Sequence, residues 1–122
     1  HVDIREYDRF IVASPIYFMG VTAQVKAMID RCQALWVIKH ILKLPVGLDK
    51  GIPRKGAFIS TGGTTYGNLF TGSVVTMKSW YKTLDIEYTA DLLAPGIDGY
   101  NALAGQPATL ARAFSLGQQL AS

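Results

Sequence analysis

Two short stretches carry the residue types able to do chemistry. Ser14-Pro15-Ile16-Tyr17-Phe18-Met19 places a hydroxyl, two adjacent aromatics and a thioether directly after an apolar run. Thr61-Gly62-Gly63-Thr64 places two glycines between hydroxyls after another such run, with Tyr66 just beyond. Pro15 rigidifies the first turn and biases Ser14 away from helical backbone, so Tyr17 and Phe18 can be presented to one side. Consecutive glycines let a ligand approach the backbone and expose amide donors. Aromatic faces combined with turn amides suit a flat, largely apolar ring with polar edges.

Acid–base and metal chemistry lack their usual constellations. Ser14 and Ser60 have no nearby histidine, and nothing resembles a nucleophile elbow. His1 and His40 are not at a metal-ligand spacing, and His40 reads as a solvated side chain. Cys32 is the only cysteine and falls on an apolar stripe, which makes it an inert core residue. Neither loop is a G-x-x-x-x-G-K-[ST] or G-x-G-x-x-G phosphate loop. No side chain is therefore nominated as catalytic, and none as a metal ligand. Such a sequence fits a protein in which a bound cofactor carries the chemistry.

Composition narrows the class further. The chain has 122 residues, enough for one domain, with 49% hydrophobic and only 17% charged residues. So few charges imply surface buried against another chain or against a missing part of the fold. The net charge of +3 is mild, and no basic run interleaves with aromatics, so no nucleic-acid partner is expected. No apolar run reaches the ~18 residues of a membrane span, so no membrane partner is expected either. One cysteine and no signal peptide give a reducing cytoplasm as the expected location.

The elements that must position the two loops follow from periodicity. Phe10–Ala13 is a continuous apolar run, predicting a strand covered on both faces. Thr22 is a candidate N-cap for a helix whose stripe is Val25, Met28, Ile29, Cys32 and Leu35, continued by Trp36-Val37-Ile38 and Ile41-Leu42. Pro45 to Lys55 reads as an exposed connection. Gly56–Ser60 predicts a second buried strand, and Phe70, Val74, Met77, Tyr81 and Leu84 a second helix with Trp80 beside its stripe. Asp85–Ala90 alternates as an edge strand does, and Pro95–Gly99 is a turn cluster. A last helix starts near Pro107, with Leu110, Ala113, Phe114, Gly117 and Leu120 as its stripe. Strands alternating with helices predict a parallel sheet, with both loops at carboxyl ends, lining one crevice. Three strands are few for this class, so the sheet is expected to lack the strands that should flank Phe10–Ala13.

The run Tyr7-Asp8-Arg9-Phe10-Ile11-Val12-Ala13-Ser14-Pro15-Ile16-Tyr17-Phe18, then Thr22-Ala23-Gln24-Val25-Lys26-Ala27-Met28-Ile29-Asp30-Arg31, resembles the NADPH-dependent FMN reductase family of the flavodoxin-like superfamily, near its iron–sulfur flavoprotein branch. Lys55 to Thr64 resembles that family's next strand and flavin loop. The resemblance implies an α/β flavodoxin-like parallel sheet with flanking helices. It enters at the third strand of the 2-1-3-4-5 order, so residues 1–122 form one partial domain in which the first two family strands are missing. It implies FMN as cofactor, its ring against Ser14, Pro15, Ile16, Tyr17, Phe18 and Met19, with Thr61, Gly62, Gly63 and Thr64 at the other edge and Tyr66 nearby. Lys26, Asp30 and Arg31 would be structural or at a subunit contact. NADH or NADPH would be the electron donor, a small molecule the acceptor, and the assembly a homo-oligomer. The Ser/Thr-rich loop that holds the FMN phosphate in the family has no counterpart in the sequence, nor does the cysteine run of the iron–sulfur branch. The alternative expectation is a truncated, non-catalytic flavodoxin-like module that acts by oligomerisation, through strand addition beside Phe10–Ala13.

Overall fold

The computed structural model describes residues 2–47 and 51–122. A short helix, α1 (Val2–Glu6), leads into β1 (Arg9–Pro15), followed by α2 (Ala23–Asp30), α3 (Gln33–His40), β2 (Lys55–Thr61), α4 (Thr71–Thr83), β3 (Glu87–Ala94), a 3-10 turn (Ala102–Gly105) and α5 (Pro107–Ala121). The three strands form one sheet in the order β1-β2-β3. Both pairings are parallel: β1 runs in register with β2 from Arg9 opposite Lys55 to Pro15 opposite Thr61. Thr61 also lies opposite Ala94 of β3, past one irregularity at Gly56 and Ala57.

Side chains alternate across the sheet and fill two layers. On one side Phe58, Met77, Trp80, Tyr81 and Leu84 pack with Cys32, Leu35, Val46 and Ile86, and Phe10 and Val12 of β1 lie against them. On the other side Ala57 and Leu92 meet Leu116 and Leu120 of α5. Each large apolar side chain fully removed from water here contributes about 1.5–3 kcal/mol. The approach of α4 to β2 is close: a Cβ on Gly56 would lie 2.6 Å from the Tyr81 ring. That contact lets the buried Tyr81 hydroxyl donate to the Ala57 carbonyl at 2.6 Å.

The amino end of the sheet is held by two arginines that serve carbonyls left without partners at helix ends. Arg9 Nε donates to the Leu120 carbonyl of α5 at 2.7 Å, and its Nη1 to Pro53 at 2.8 Å. Arg54 donates to the Tyr7 carbonyl at 3.1 Å and to the carbonyls of Leu84, after α4, and Ile4, in α1. Its guanidinium lies 5.1 Å from the centre of the Phe10 ring.

Several sequence expectations need correction. The strand expected at Phe10–Ala13 is at the sheet edge and is covered on one face only. Ile11 is 52% exposed, because α5 lies over β2 and β3 and leaves β1 open. The first long helix is two helices: the break at Arg31 and Cys32 buries both Cys32 and Leu35 while Met28 stays at the surface. Val46 is wholly buried and Arg54 half-buried, so the Pro45–Lys55 connection is not exposed throughout; its residues 48–50 lie outside the described residues. The third strand begins two residues later than expected and runs to Ala94. On α5 the buried positions are Leu116 and Leu120, whereas Leu110 and Phe114 are exposed.

The later start of β3 has a local cause. Asp85 adopts a left-handed turn, with φ of 59°. There its carboxylate accepts from the Val46 amide and from Lys39 Nζ, both at 2.7 Å. Burial raises the pKa of this carboxyl, but the Lys39 hydrogen bond and charge and the amides of Val46 and Gly47 outweigh it and hold the value below the ordinary aspartate range. A carboxyl whose folded pKa is depressed stabilises the fold above its unfolded value, about 4. That contribution is lost as pH falls through the folded value. Asp85→Asn, which keeps a residue tolerant of the left-handed turn, should be less stable than the parent at pH 7. The gap should narrow as the pH is lowered from about 5 to about 2, as measured by urea unfolding across that range; a gap independent of pH contradicts the assignment.

Candidate functional site

All three strand-to-helix connections leave the sheet at its carboxyl end, and backbone hydrogen bonds lock them side by side. The Ile16 amide, just past β1, donates to the Thr61 carbonyl at the end of β2, at 2.8 Å. The Gly62 amide donates to the Ala94 carbonyl at the end of β3, at 3.0 Å, and the Gly62 carbonyl accepts from Ile97 at 2.8 Å. Gly96 closes the set on the Thr64 carbonyl at 2.9 Å. Gly62 is closely packed: a Cβ there would lie 2.5 Å from the end of the Leu69 side chain, which would have to shift. The two sequence-selected loops are therefore neighbours, as parallel order requires.

The first loop ends in a two-residue hairpin. Tyr17 and Gly20 exchange both backbone hydrogen bonds, at 3.0 and 3.2 Å. The central residues Phe18 and Met19 have φ of 51° and 66°, the paired positive values of a type I′ turn. Such turns favour Asn-Gly, and each side-chain-bearing residue held there costs about 1 kcal/mol. At the tip Phe18 is fully exposed, and Tyr17 and Met19 are exposed beside it. The turn rests on α4: a Cβ at Gly72 would lie 3.0 Å from the Met19 carbonyl. Strain of this kind persists where the surrounding structure imposes it, and it concentrates at functional sites.

Below this turn Ser14 and Ser60 are buried and bonded within the protein, so the Ser14 hydroxyl is not on the loop surface that the sequence offered to a ligand. Pro15 is exposed, Ile16 half-buried, and Gly63, Thr64 and Tyr66 are exposed. Thr61 is half-buried at the strand end and Gly62 is buried. Among the described residues, the amides of Phe18, Met19, Gly63 and Thr64 donate to no protein acceptor. The surface thus offers apolar faces and free donors. It is an open shelf. A cavity beneath it, touching Thr61, Ala94 and Leu103, has only about 70 Å³. A roomier groove of about 330 Å³ runs between β3 and α5 at Asp91 and Arg112, away from the loops.

Other sequence candidates stand elsewhere. Lys26 and Asp30 pair with each other at 2.7 Å on the exposed face of α2, a surface ion pair of small energetic weight, and Arg31 is exposed. Cys32 is a free, buried thiol. Among the described residues, no three His, Cys, Asp or Glu side chains gather as a metal would need, and no helix is long and apolar enough to cross a membrane. The third loop, Pro95–Gly99, marked in the sequence only as a turn cluster, also joins the site. Its position after a strand would have shown it once the strand was carried to Ala94. The I′ turn left no sequence signal, because Phe-Met stands where Asn-Gly is usual.

A parallel sheet with flanking helices and its loops gathered at the carboxyl ends defines a flavodoxin-like α/β domain. Solved structures agree at the level of fold. An FMN-dependent NADH-azoreductase from Bacillus anthracis, solved in complex with FMN, superposes with a TM-score of 0.68 at 17% identity, over 95% of this chain and 57% of that one. A Trp repressor binding protein from Bacillus subtilis gives 0.60 at 18% identity, over 86% and 61%. A flavodoxin, WrbA-like protein from Agrobacterium tumefaciens gives 0.57 at 14%, over 93% and 68%. The chain thus spans roughly three fifths of the length of the first two. No curated protein matches it in sequence. Residues 1–74 match the NADPH-dependent FMN reductase family, and the chain belongs to that family.

The strain in the turn can be measured without any ligand. Met19→Gly removes a side chain from a left-handed position and should stabilise the fold by about 0.5–1 kcal/mol, read as a higher urea midpoint. A lower midpoint would mean that the Met19 side chain contributes more packing than its backbone costs.

Proposed function

We propose that this chain is the ring-binding part of an FMN-dependent NAD(P)H oxidoreductase, of the flavin-reductase or electron-acceptor-reductase type. One observation carries the reading: a strained turn holds Tyr17, Phe18 and Met19 out of the core, beside unused amides at Gly63 and Thr64. Family membership and the FMN complex of the azoreductase neighbour support it. The chemistry that FMN supplies when bound is hydride and electron transfer between a nicotinamide and an acceptor. Tyr17 and Phe18 would cover a ring face, with Ile16 and Met19 as apolar flanks. The amides of Phe18, Met19, Gly63 and Thr64 would donate to its polar edge. Pro15, Thr61 and Gly62 would fix the loops that carry those groups. No side chain of this shelf is assigned a proton. The donor would be NADH or NADPH and the acceptor a small molecule, in a reducing cytoplasm.

Ring contacts alone give modest affinity. Titration of FMN with the purified chain should quench flavin fluorescence with a dissociation constant on the order of 10–100 μM. Tyr17→Ala should weaken it about 2- to 10-fold, the value of one aromatic contact. Absence of quenching at high micromolar flavin would sink the proposal for this chain.

A second reading, an oligomerising module, is favoured by a different observation. The outer edge of β1 is unpaired among the described residues, and Ile11, Leu110 and Phe114 are 52%, 48% and 70% exposed on the α5 side of the sheet. A second copy docked by strand addition would cover them. Sedimentation should then show a dimer or larger species without flavin, converted to monomer by Ile11→Lys; a flavin-free monomer of the parent chain overturns this reading.

A further inference from the structure

The type I′ turn is closed by its own two hydrogen bonds, but those bonds do not aim it. Two buried serines lie beneath it. Ser60, 1% exposed, donates its hydroxyl to the Ser14 carbonyl at 2.7 Å. Ser14, 3% exposed, accepts at its own hydroxyl from the Thr22 amide at 3.1 Å and donates to the Pro15 carbonyl at 2.9 Å. Thr22 is the N-cap at which the loop enters α2, accepting from the Val25 amide at 3.3 Å. One hydroxyl therefore joins the residue where the loop leaves β1 to the residue where it enters α2. Ser60 ties that junction to the strand that carries the glycine loop.

We propose that Ser14 is a positioning residue for the aromatic turn, with Ser60 as its support: the pair sets where Tyr17, Phe18 and the free turn amides stand relative to Gly63 and Thr64. Its bearing on the cofactor rests on the flavin reading above; its bearing on the loop does not. Removing the Ser14 hydroxyl leaves the Thr22 amide without its acceptor and loosens the loop between Ile16 and Thr22. The Ile16–Thr61 backbone bond is retained, so the sheet stays in register. A threonine at 14 keeps the hydroxyl, and its branched Cβ suits a strand.

Hydrogen exchange of the 122-residue chain, without flavin, gives the first measurement. Ser14→Ala should raise exchange at the amides of Tyr17, Gly20 and Thr22 about tenfold while those of β2 and β3 are unchanged; Ser14→Thr should restore the parent rates. FMN quenching gives the second: affinity about tenfold weaker in Ser14→Ala and recovered in Ser14→Thr. Unchanged exchange at the three amides, a rise shared by the whole sheet, or failure of Ser14→Thr to rescue overturns the proposal. So does parent-like flavin affinity in Ser14→Ala. If Ser14→Ala does not fold, Ser60→Ala reads the same three amides, with the same expected rise and the same contrary results. If the parent chain binds no FMN yet the loop rates respond as described, the flavin reading fails and the positioning role stands.

Discussion

Ser14 lies opposite Ser60, and Pro15 opposite Thr61, in the parallel ladder of β1 and β2. The site geometry depends on that register. Because side chains alternate, a slip of one residue would turn Phe10 and Val12 out of the core and Ser14 away from the α2 side. Held in place, the ladder brings the two strands to an end side by side and delivers their loops to the same shelf. β3 adds the third loop by ending at Ala94, level with Thr61. The closeness of the aromatic turn and the glycine loop is therefore a consequence of strand pairing, and hydroxyl and backbone bonds then refine it.

The two ends of the sheet are treated differently. At the amino end, Arg9 and Arg54 bind carbonyls at or beyond the ends of α1, α4 and α5, and Asp85 joins Lys39 to Val46. These arginines and this aspartate are partnered within the protein. At the carboxyl end, the amides of Phe18, Met19, Gly63 and Thr64 have no acceptor among the described residues, and Tyr17, Phe18 and Met19 are exposed on a strained backbone. The amino end is tied together by side-chain hydrogen bonds, and the carboxyl end presents apolar faces beside free backbone donors.

Much of this was legible in the sequence, for reasons that differ by element. Buried strands reveal themselves by apolar runs, so β1 and β2 were located within a residue or two. Thr22 was identified as a cap because few residue types do that work. Tyr81 and Met77 followed from helical spacing. The edge position of β1 was harder, since an apolar run looks the same whether one or two faces are covered. Burial of Val46 and the placement of Asp85 depend on each other across 39 residues, and no local pattern carries that. Phe114 fits the helical period of α5 but is 70% exposed, so its spacing matches a stripe that nothing among the described residues covers there. The loops were found by residue type; their strain and their serine support were not, because both depend on where the strands end.

The central claim is that the three carboxyl-end loops form one surface that takes a flavin ring. Amide shift mapping of the isotope-labelled chain against riboflavin, which presents the ring without a phosphate, tests it most directly. The account expects shifts confined to residues 16–20, 62–66 and 95–99, with the amino end of the sheet unmoved. Shifts centred on the 330 Å³ groove between β3 and α5, or none at saturating riboflavin, would contradict it.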